Sequence, residues 1–339
     1  MNQILTPSKV IEGNKKEIAD FIKNLPEKTF LLLGEKKLLE MHKDFFEKAF
    51  KGKTKIFTDF FGECSLKEIQ RILKSANVKK LDAIFGFGGG KALDTAKSVA
   101  EKSKLPLFVI PTSGATCAAF TSHSVIYGEK NEFLYEEQHS KSPDVVILCK
   151  EILKTQPRRL IYAGLADSIA KFWEFSFSEP KEKDPLFVEY SKEMAKQIIS
   201  SWKADFYKLS FVTIIHTGII SAYGGKTFRS SSAHAISNAI TQVFCKKPEL
   251  KDLLHGELVG LGILATLIFL HRRQEAILIN EFLTKTEILK NIKNAFRDAG
   301  EEIYSEISKN AIQLDPFFNS NNISSEDISQ TLKLLCVTK

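Results

Sequence analysis

The stretch AIFGFGGGKALDTAKSVA, residues 83–100, decides the fold. An apolar run of strand length ends in Gly86, Gly88, Gly89 and Gly90, and a helical pattern opens at Lys91. Glycines at a strand-to-helix turn let backbone N–H groups come close to an anion, and the helix N-terminus behind them carries a positive partial charge. The pyrophosphate of a dinucleotide suits such a turn. Two familiar phosphate motifs are excluded. G-x-G-x-x-G fails because Lys91 stands at the last glycine position. The P-loop fails because Gly90-Lys91 would need a glycine at 85 and Ser or Thr at 92, where the chain has Phe85 and Ala92. A tight turn that binds nothing is the competing reading of this segment taken alone.

Outward from the turn, strand-length apolar runs alternate with amphipathic stretches. Upstream lie TFLLLG (29–34), KKLLEMHKDFFEKAF (36–50), KIFTDF (55–60) and SLKEIQRILKSANV (65–78). Downstream lie the strand LPLFVIP (105–111), a hairpin in SVIYGEKNEFLYEE (124–137) and the strand DVVILC (144–149). This alternation predicts a parallel sheet flanked by helices. From about Leu160 on, long stretches of helical period replace it, through AGLADSIAKFWEFSF (163–177) and EYSKEMAKQIISSWKADF (189–206). The expected architecture is a Rossmann-like α/β domain over residues 1–155 followed by an all-α domain over 156–339. The segment LVGLGILATLIFL (258–270) is too short to cross a bilayer and reads as a buried helix.

Composition narrows the function classes. Five scattered cysteines without a C-x-x-C pair read as reduced thiols, and the first residues lack the features of a signal peptide, so a cytoplasmic location is expected. A net charge of +7, spread over short pairs such as Lys15-Lys16 and Arg158-Arg159, suits small anionic ligands. With no basic stripe interleaved with aromatics, no nucleic-acid or membrane partner is expected.

GGGKALDTAK (88–97) resembles the phosphate-binding turn of the iron-containing alcohol dehydrogenase and glycerol dehydrogenase superfamily. The resemblance continues in PTSGATCAAFTSHSVIY (111–127), in the segment from Ser142 to Glu174, in SSAHAISNAIT (231–241) and in LLHGELVGLG (253–262), in family order and spacing. It implies a dehydroquinate synthase-like two-domain fold, a nicotinamide cofactor (NAD or NADP), a divalent metal, a small-molecule substrate and a homo-oligomer. Carried over residue by residue, it makes Gly88, Gly89, Gly90, Lys91, Asp94, Thr112, Thr116, Thr121, Val125 and Tyr127 cofactor contacts. Glu35, at the end of the first strand recognised, is expected on the adenosine ribose, where an acid repels a 2′-phosphate and favours NAD; Lys36 and Lys37 beside it argue for NADP.

Asp167, His234 and His255 are the metal ligands that the resemblance implies, a set that suits Zn²⁺ or Fe²⁺. Singly, each reads as an ordinary packed side chain. Iron-type members add a histidine four residues after the aspartate; Lys171 stands there, which points to a three-ligand, zinc-type site. The family's polyol-oxidising members carry an aspartate where this chain has Cys117. A site without that anion, with Lys226 and Arg229 upstream of His234, suits a 2-hydroxy or 2-oxo acid, and ATCAAFTSHSVIY resembles the hydroxycarboxylate dehydrogenase branch. Alternatives are a glycerol or other polyol dehydrogenase, a glycerol-1-phosphate dehydrogenase and, in another class, a dehydroquinate synthase-like lyase.

Overall fold

The computed structural model describes residues 3–177, 184–228, 231–244 and 246–337. Eight strands form in chain order: β1 (Lys9–Gly13), β2 (Thr29–Gly34), β3 (Thr54–Asp59), β4 (Ala83–Gly88), β5 (Leu107–Pro111), β6 (His123–Tyr127), β7 (Phe133–Gln138) and β8 (Val145–Cys149). Six make one sheet in the order β1-β8-β5-β4-β2-β3, and its neighbouring strands pair in parallel. The hairpin strands β6 and β7 pair separately.

Parallel strands need crossovers, and the crossover helices cover both faces, so central strands read as unbroken apolar runs. β4 and β5 are buried at every position. The two-residue period of β2, β4, β5 and β8 sends Leu31, Leu33, Ile84, Val109 and Leu148 to one core and Phe30, Leu32, Phe85, Phe87, Phe108 and Ile147 to the other. The second core is aromatic: Phe85 and Phe108 stack at 4.9 Å, and Phe46 meets Phe87 edge-on at 4.8 Å.

Three features differ from the sequence reading. β1 pairs with β8 at the sheet edge, though the KVIEG segment shows no alternation; its burial comes only at Gly13. KKLLEMHKDFFEKAF folds as two short helices, Lys36–Met41 and Lys43–Ala49, broken at His42. A single cut after residue 155 does not describe the domains. The first compact unit comprises 1–128, 134–157 and 205–222, and the second 129–133, 158–204 and 223–339. Residues 205–222 belong to the first unit because Tyr207 Oη donates to Glu12 Oε2 at 2.5 Å and Gln156 Nε2 donates to Ser210 Oγ at 2.6 Å. Gly218 also leaves room for the Phe120 ring, which a Cβ would meet at 2.5 Å.

Past Arg158 every regular element among the described residues is helical. The helix His255–Phe269 is buried from Gly256 to Leu267. No helix among the described residues is long and apolar enough to cross a membrane. Two glycines bring this helix against its neighbours: a Cβ on Gly256 would lie 1.9 Å from the Ala163 carbonyl oxygen, and one on Gly262 2.4 Å from that of Ala233. Those approaches draw together the three helices that carry Asp167, His234 and His255.

Candidate metal centre and nucleotide-binding turn

Asp167 and Lys171 lie one turn apart on the helix Arg158–Phe177, His234 lies in the first turn of Ser232–Gln242, and His255 opens His255–Phe269. All belong to the second unit. Asp167 Oδ1 sits 3.1 Å from His234 Nε2 and 3.9 Å from His255 Nε2. One ligand atom from each of the three residues falls within 4.8 Å of the others. A carboxylate and two imidazoles at this spacing fit a divalent ion with coordination positions left open.

Each imidazole is held from behind. His234 Nδ1 donates to Glu174 Oε2 at 2.6 Å, which turns Nε2 inward. The other Glu174 oxygen accepts the N–H groups of Ser231 at 3.0 Å and Ala233 at 2.8 Å, so Glu174 caps the helix that carries His234. On the other histidine, Ser237 Oγ lies 3.4 Å from His255 Nδ1. The turn that presents His255 is clamped by the fully buried Glu257, which accepts Leu254 N–H at 2.9 Å, Arg159 Nε at 2.8 Å and Asn291 Nδ2 at 2.7 Å. Sequence reasoning missed Glu174, yet it stands seven residues after Asp167 and three after Lys171, on the same helical face.

Electrostatics favour an ionised aspartate. Burial pushes the Asp167 carboxyl up, but Lys171 and then the two histidines outweigh it and hold it well below the usual carboxylate range. For His234, burial disfavours the charged ring and Lys171 adds to that; the Glu174 and Asp167 carboxylates still raise it above its ordinary value. The Lys171 side chain reaches into the cage, with Nζ 2.8 Å from His234 Nε2 and 3.5 Å from Asp167 Oδ1.

In the first unit, strand order reverses between β2 and β4, and ligands of such sheets bind beyond the carboxyl ends of the strands at that point. Glu35 follows β2 there, and Gly89 follows β4 as the uncapped N-cap of the helix Gly90–Ser103. Thr112 N–H donates to the Gly88 carbonyl at 3.0 Å, and Thr116 Oγ1 packs where a Cβ on Gly90 would sit, 2.7 Å away. Lys91 pairs with Glu63 and lies 4.9 Å from the Tyr127 ring centroid. Asp94 is turned inward: it pairs with Lys97 at 2.8 Å and accepts Val125 N–H at 3.0 Å. Lys97 also donates to Thr121 Oγ1 at 3.2 Å, so Asp94, Thr121 and Val125 share one buried network beneath the turn.

Gly89 offers a test. A Cβ there would meet only Ser113 Oγ, at 3.9 Å, so the fold itself has room for alanine. Gly89→Ala should change unfolding free energy by no more than about 1 kcal/mol. It should weaken NADH at least about tenfold, by keeping the diphosphate from the backbone. NADH fluorescence titration beside urea unfolding checks both; unchanged affinity would remove the turn as the diphosphate site.

Of the substrate residues expected from the sequence, Cys117 is buried in the first unit. Lys226 lies in the helix Thr217–Phe228, its side chain outside the described residues, and Arg229 lies outside them altogether.

Residues 7–149 match the family model described as iron-containing alcohol dehydrogenase. The chain is 31% identical over 300 residues to a glycerol dehydrogenase of Citrobacter freundii, covering 81% of this chain and 79% of that one. It is 30% identical over 222 residues to hydroxycarboxylate dehydrogenase A of Escherichia coli, 60% of each chain. Among solved structures, the glycerol dehydrogenase of Schizosaccharomyces pombe superposes with a TM-score of 0.79 at 19% identity, over 99% of this chain and 90% of that one. A sulfoacetaldehyde reductase from Bifidobacterium kashiwanohense in complex with NAD⁺ gives 0.76 at 15%, over the whole of both chains. The structural likenesses bear on the fold.

Proposed function

Because the chain belongs to the iron-containing alcohol dehydrogenase and glycerol dehydrogenase superfamily, we propose that it moves hydride between NAD(P) and a small 2-hydroxy or 2-oxo acid, with a divalent ion held by Asp167, His234 and His255. The observation that carries the reading is the convergence of those three side chains with Glu174 and Ser237 behind the imidazoles. In the oxidative direction a bound nicotinamide would accept the hydride of the substrate C–H bond while the hydroxyl proton leaves to solvent, giving a carbonyl. A divalent ion held by Asp167, His234 and His255 would supply Lewis acidity toward the substrate oxygen.

The protein's residues do the holding. Glu174 fixes which ring nitrogen His234 presents, and Ser237 stands 3.4 Å behind Nδ1 of His255. The uncapped turn at Gly89 is the place for the cofactor diphosphate, and orientation is the protein's main contribution to a reaction whose chemistry belongs to the cofactor. Zinc suits the three-ligand set, since Lys171 takes the place of a fourth protein ligand. Glu35 beyond β2 and Asp59, which accepts Lys36 N–H at 2.8 Å at the end of β3, put two acids near the expected adenosine ribose and favour NAD over NADP.

For the acid substrate, the support is Cys117 in place of a carboxylate, together with the likeness to hydroxycarboxylate dehydrogenase A. A polyol is the second reading, favoured by the likeness to glycerol dehydrogenase. Nicotinamide absorbance decides. Zinc-loaded protein should oxidise NADH with 2-oxobutyrate or 2-oxoglutarate, NADPH less well, and lose this on chelation. Preferential turnover of glycerol with NAD⁺ would replace the acid reading with the polyol one.

A further inference from the structure

The six-stranded sheet ends on β3, and the groups that this strand leaves open follow from those it spends. Thr54 N–H donates to the Lys28 carbonyl at 2.8 Å and Phe60 N–H to that of Gly34 at 3.1 Å, so the even-numbered residues turn their backbone groups toward β2. Backbone groups alternate from side to side along a strand, so Lys55, Phe57 and Asp59 turn theirs to the open edge. The Asp59 carbonyl agrees with this direction, since it accepts the Arg71 side chain at 2.6 Å and no group of β2.

Edge strands are ordinarily blunted by charge, proline or a covering segment. At the opposite edge, Glu12 of β1 is engaged by Tyr207. At β3 large apolar side chains gather instead: Phe57 is 53% exposed, Phe61 just past the strand is 67% exposed, and Ile56 and Leu66 join them. Side chains alternate as well, so Lys55, Phe57 and Asp59 stand on one face of the sheet.

The strand is complementary to itself. When a second copy of β3 is laid antiparallel with Phe57 at the centre, Phe57 meets Phe57, Lys55 meets Asp59, Asp59 meets Lys55 and Ile56 meets Thr58. In this register each outward-facing residue falls opposite another, where antiparallel partners exchange both N–H to carbonyl bonds. Charge agrees with the register. Asp59 gives Oδ1 to Lys36 N–H at 2.8 Å and has Oδ2 left for an ammonium. Among the described residues Lys55 pairs with no carboxylate and lies 5.9 Å from the Phe57 ring centroid. The same operation on β1 about Ile11 sets Lys9 against Gly13 and Val10 against Glu12, with no charge pair.

We propose that the β3 edge is an interface with a second copy of this chain: the two strands pair antiparallel about a two-fold axis at Phe57, with Lys55 of each copy facing Asp59 of the other. Such an interface is isologous, the same patch on both subunits, and joins the two sheets into one. The aromatic pair on the axis and the two opposite-charge pairs beside it each stabilise it. The inference does not depend on the dehydrogenase reading and adds a partner to it.

The test uses the full-length chain. Light scattering measures particle mass for the natural chain, Phe57→Lys, which sets two ammonium groups on the axis, and Lys55→Glu, which sets a like charge against Asp59 twice. Thermal melts identify which variants are folded, and those are used. Each should raise the dissociation constant of the contact at least about tenfold, so that dilution halves its particle mass while the natural chain stays assembled. In parallel, Phe57→Cys treated with a short bismaleimide should yield cross-linked chains whose peptide masses join position 57 to position 57, whether or not the charge variants fold. A natural chain that is monomeric leaves this edge to some other partner and overturns the inference. An unchanged mass in a folded variant, or no cross-link at position 57, places any assembly on another surface and overturns it equally.

Discussion

Asp167→Asn is expected to leave the protein without stoichiometric zinc and to lower kcat/KM at least about 10³-fold. The substitution keeps the volume of the side chain and removes its charge. Losing an outer partner of a metal ligand costs about 10–100-fold in affinity, and losing the anionic ligand itself costs more. A 10³-fold loss corresponds to about 4 kcal/mol of transition-state stabilisation, within what a Lewis-acid centre supplies. The ion-free protein should also be weakened. Asp167 is 2% exposed and lies against Lys171 and His234, and removing one partner of such a buried set typically costs about 3–5 kcal/mol. Its carboxyl is held below its ordinary pKa, so it contributes stability above that value and loses it as the pH falls. Urea unfolding should therefore separate natural chain and variant fully at neutral pH, and the gap should close in acid. Elemental analysis that finds one zinc per chain in the variant would remove Asp167 from the ligand set.

The α/β half was legible because central parallel strands have no choice of composition: β2, β4 and β5 are buried on both faces and must be apolar throughout. An edge strand is under no such constraint, which is why KVIEG, with only Gly13 buried, gave no signal. The break at His42 was hidden because the apolar spacing of KKLLEMHKDFFEKAF carries through it; the backbone there, at φ −111° and ψ 22°, leaves the helix without disturbing the burial of Leu39 and Phe46. The return of residues 205–222 to the first unit depends on contacts between Glu12 and Tyr207, 195 positions apart, and periodicity carries no information at that range.

The candidate site divides in the same way. Asp167, His234 and His255 are unremarkable singly, and only the family pattern made them a set; folding brings them together because Gly256 and Gly262 let three helix backbones approach. Lys171 was visible as a departure from the pattern, but its reach into the ligand cage was not, since spacing fixes the face of a helix and leaves open where a four-carbon side chain ends. Asp94 shows the converse. The pattern puts it among the cofactor contacts, while the structure ties its carboxylate to Lys97 and to the Val125 N–H beneath the turn.

Glu174 has two separable jobs, and two substitutions should separate them. Glu174→Gln keeps an oxygen for the helix N–H groups of Ser231 and Ala233 but loses the negative charge that faces His234 Nδ1 at 2.6 Å. Zinc affinity should fall about 10–100-fold, as for other carboxylates that hold a metal-bound imidazole. Stability should change much less, because the cap survives. Glu174→Ala removes both functions. It leaves those backbone donors at a buried helix end without their acceptor, at a cost of about 1–3 kcal/mol on top of the same loss of zinc affinity. Competition with a chromophoric chelator gives the first quantity and urea unfolding of the zinc-free protein the second. If Glu174→Gln bound zinc as tightly as the natural chain, the charge behind His234 would have no part in presenting Nε2, and capping alone would explain why a buried glutamate stands at this position. If both variants lost affinity equally while only alanine lost stability, orientation of the imidazole and support of its helix would be independent contributions from the two oxygens of one carboxylate.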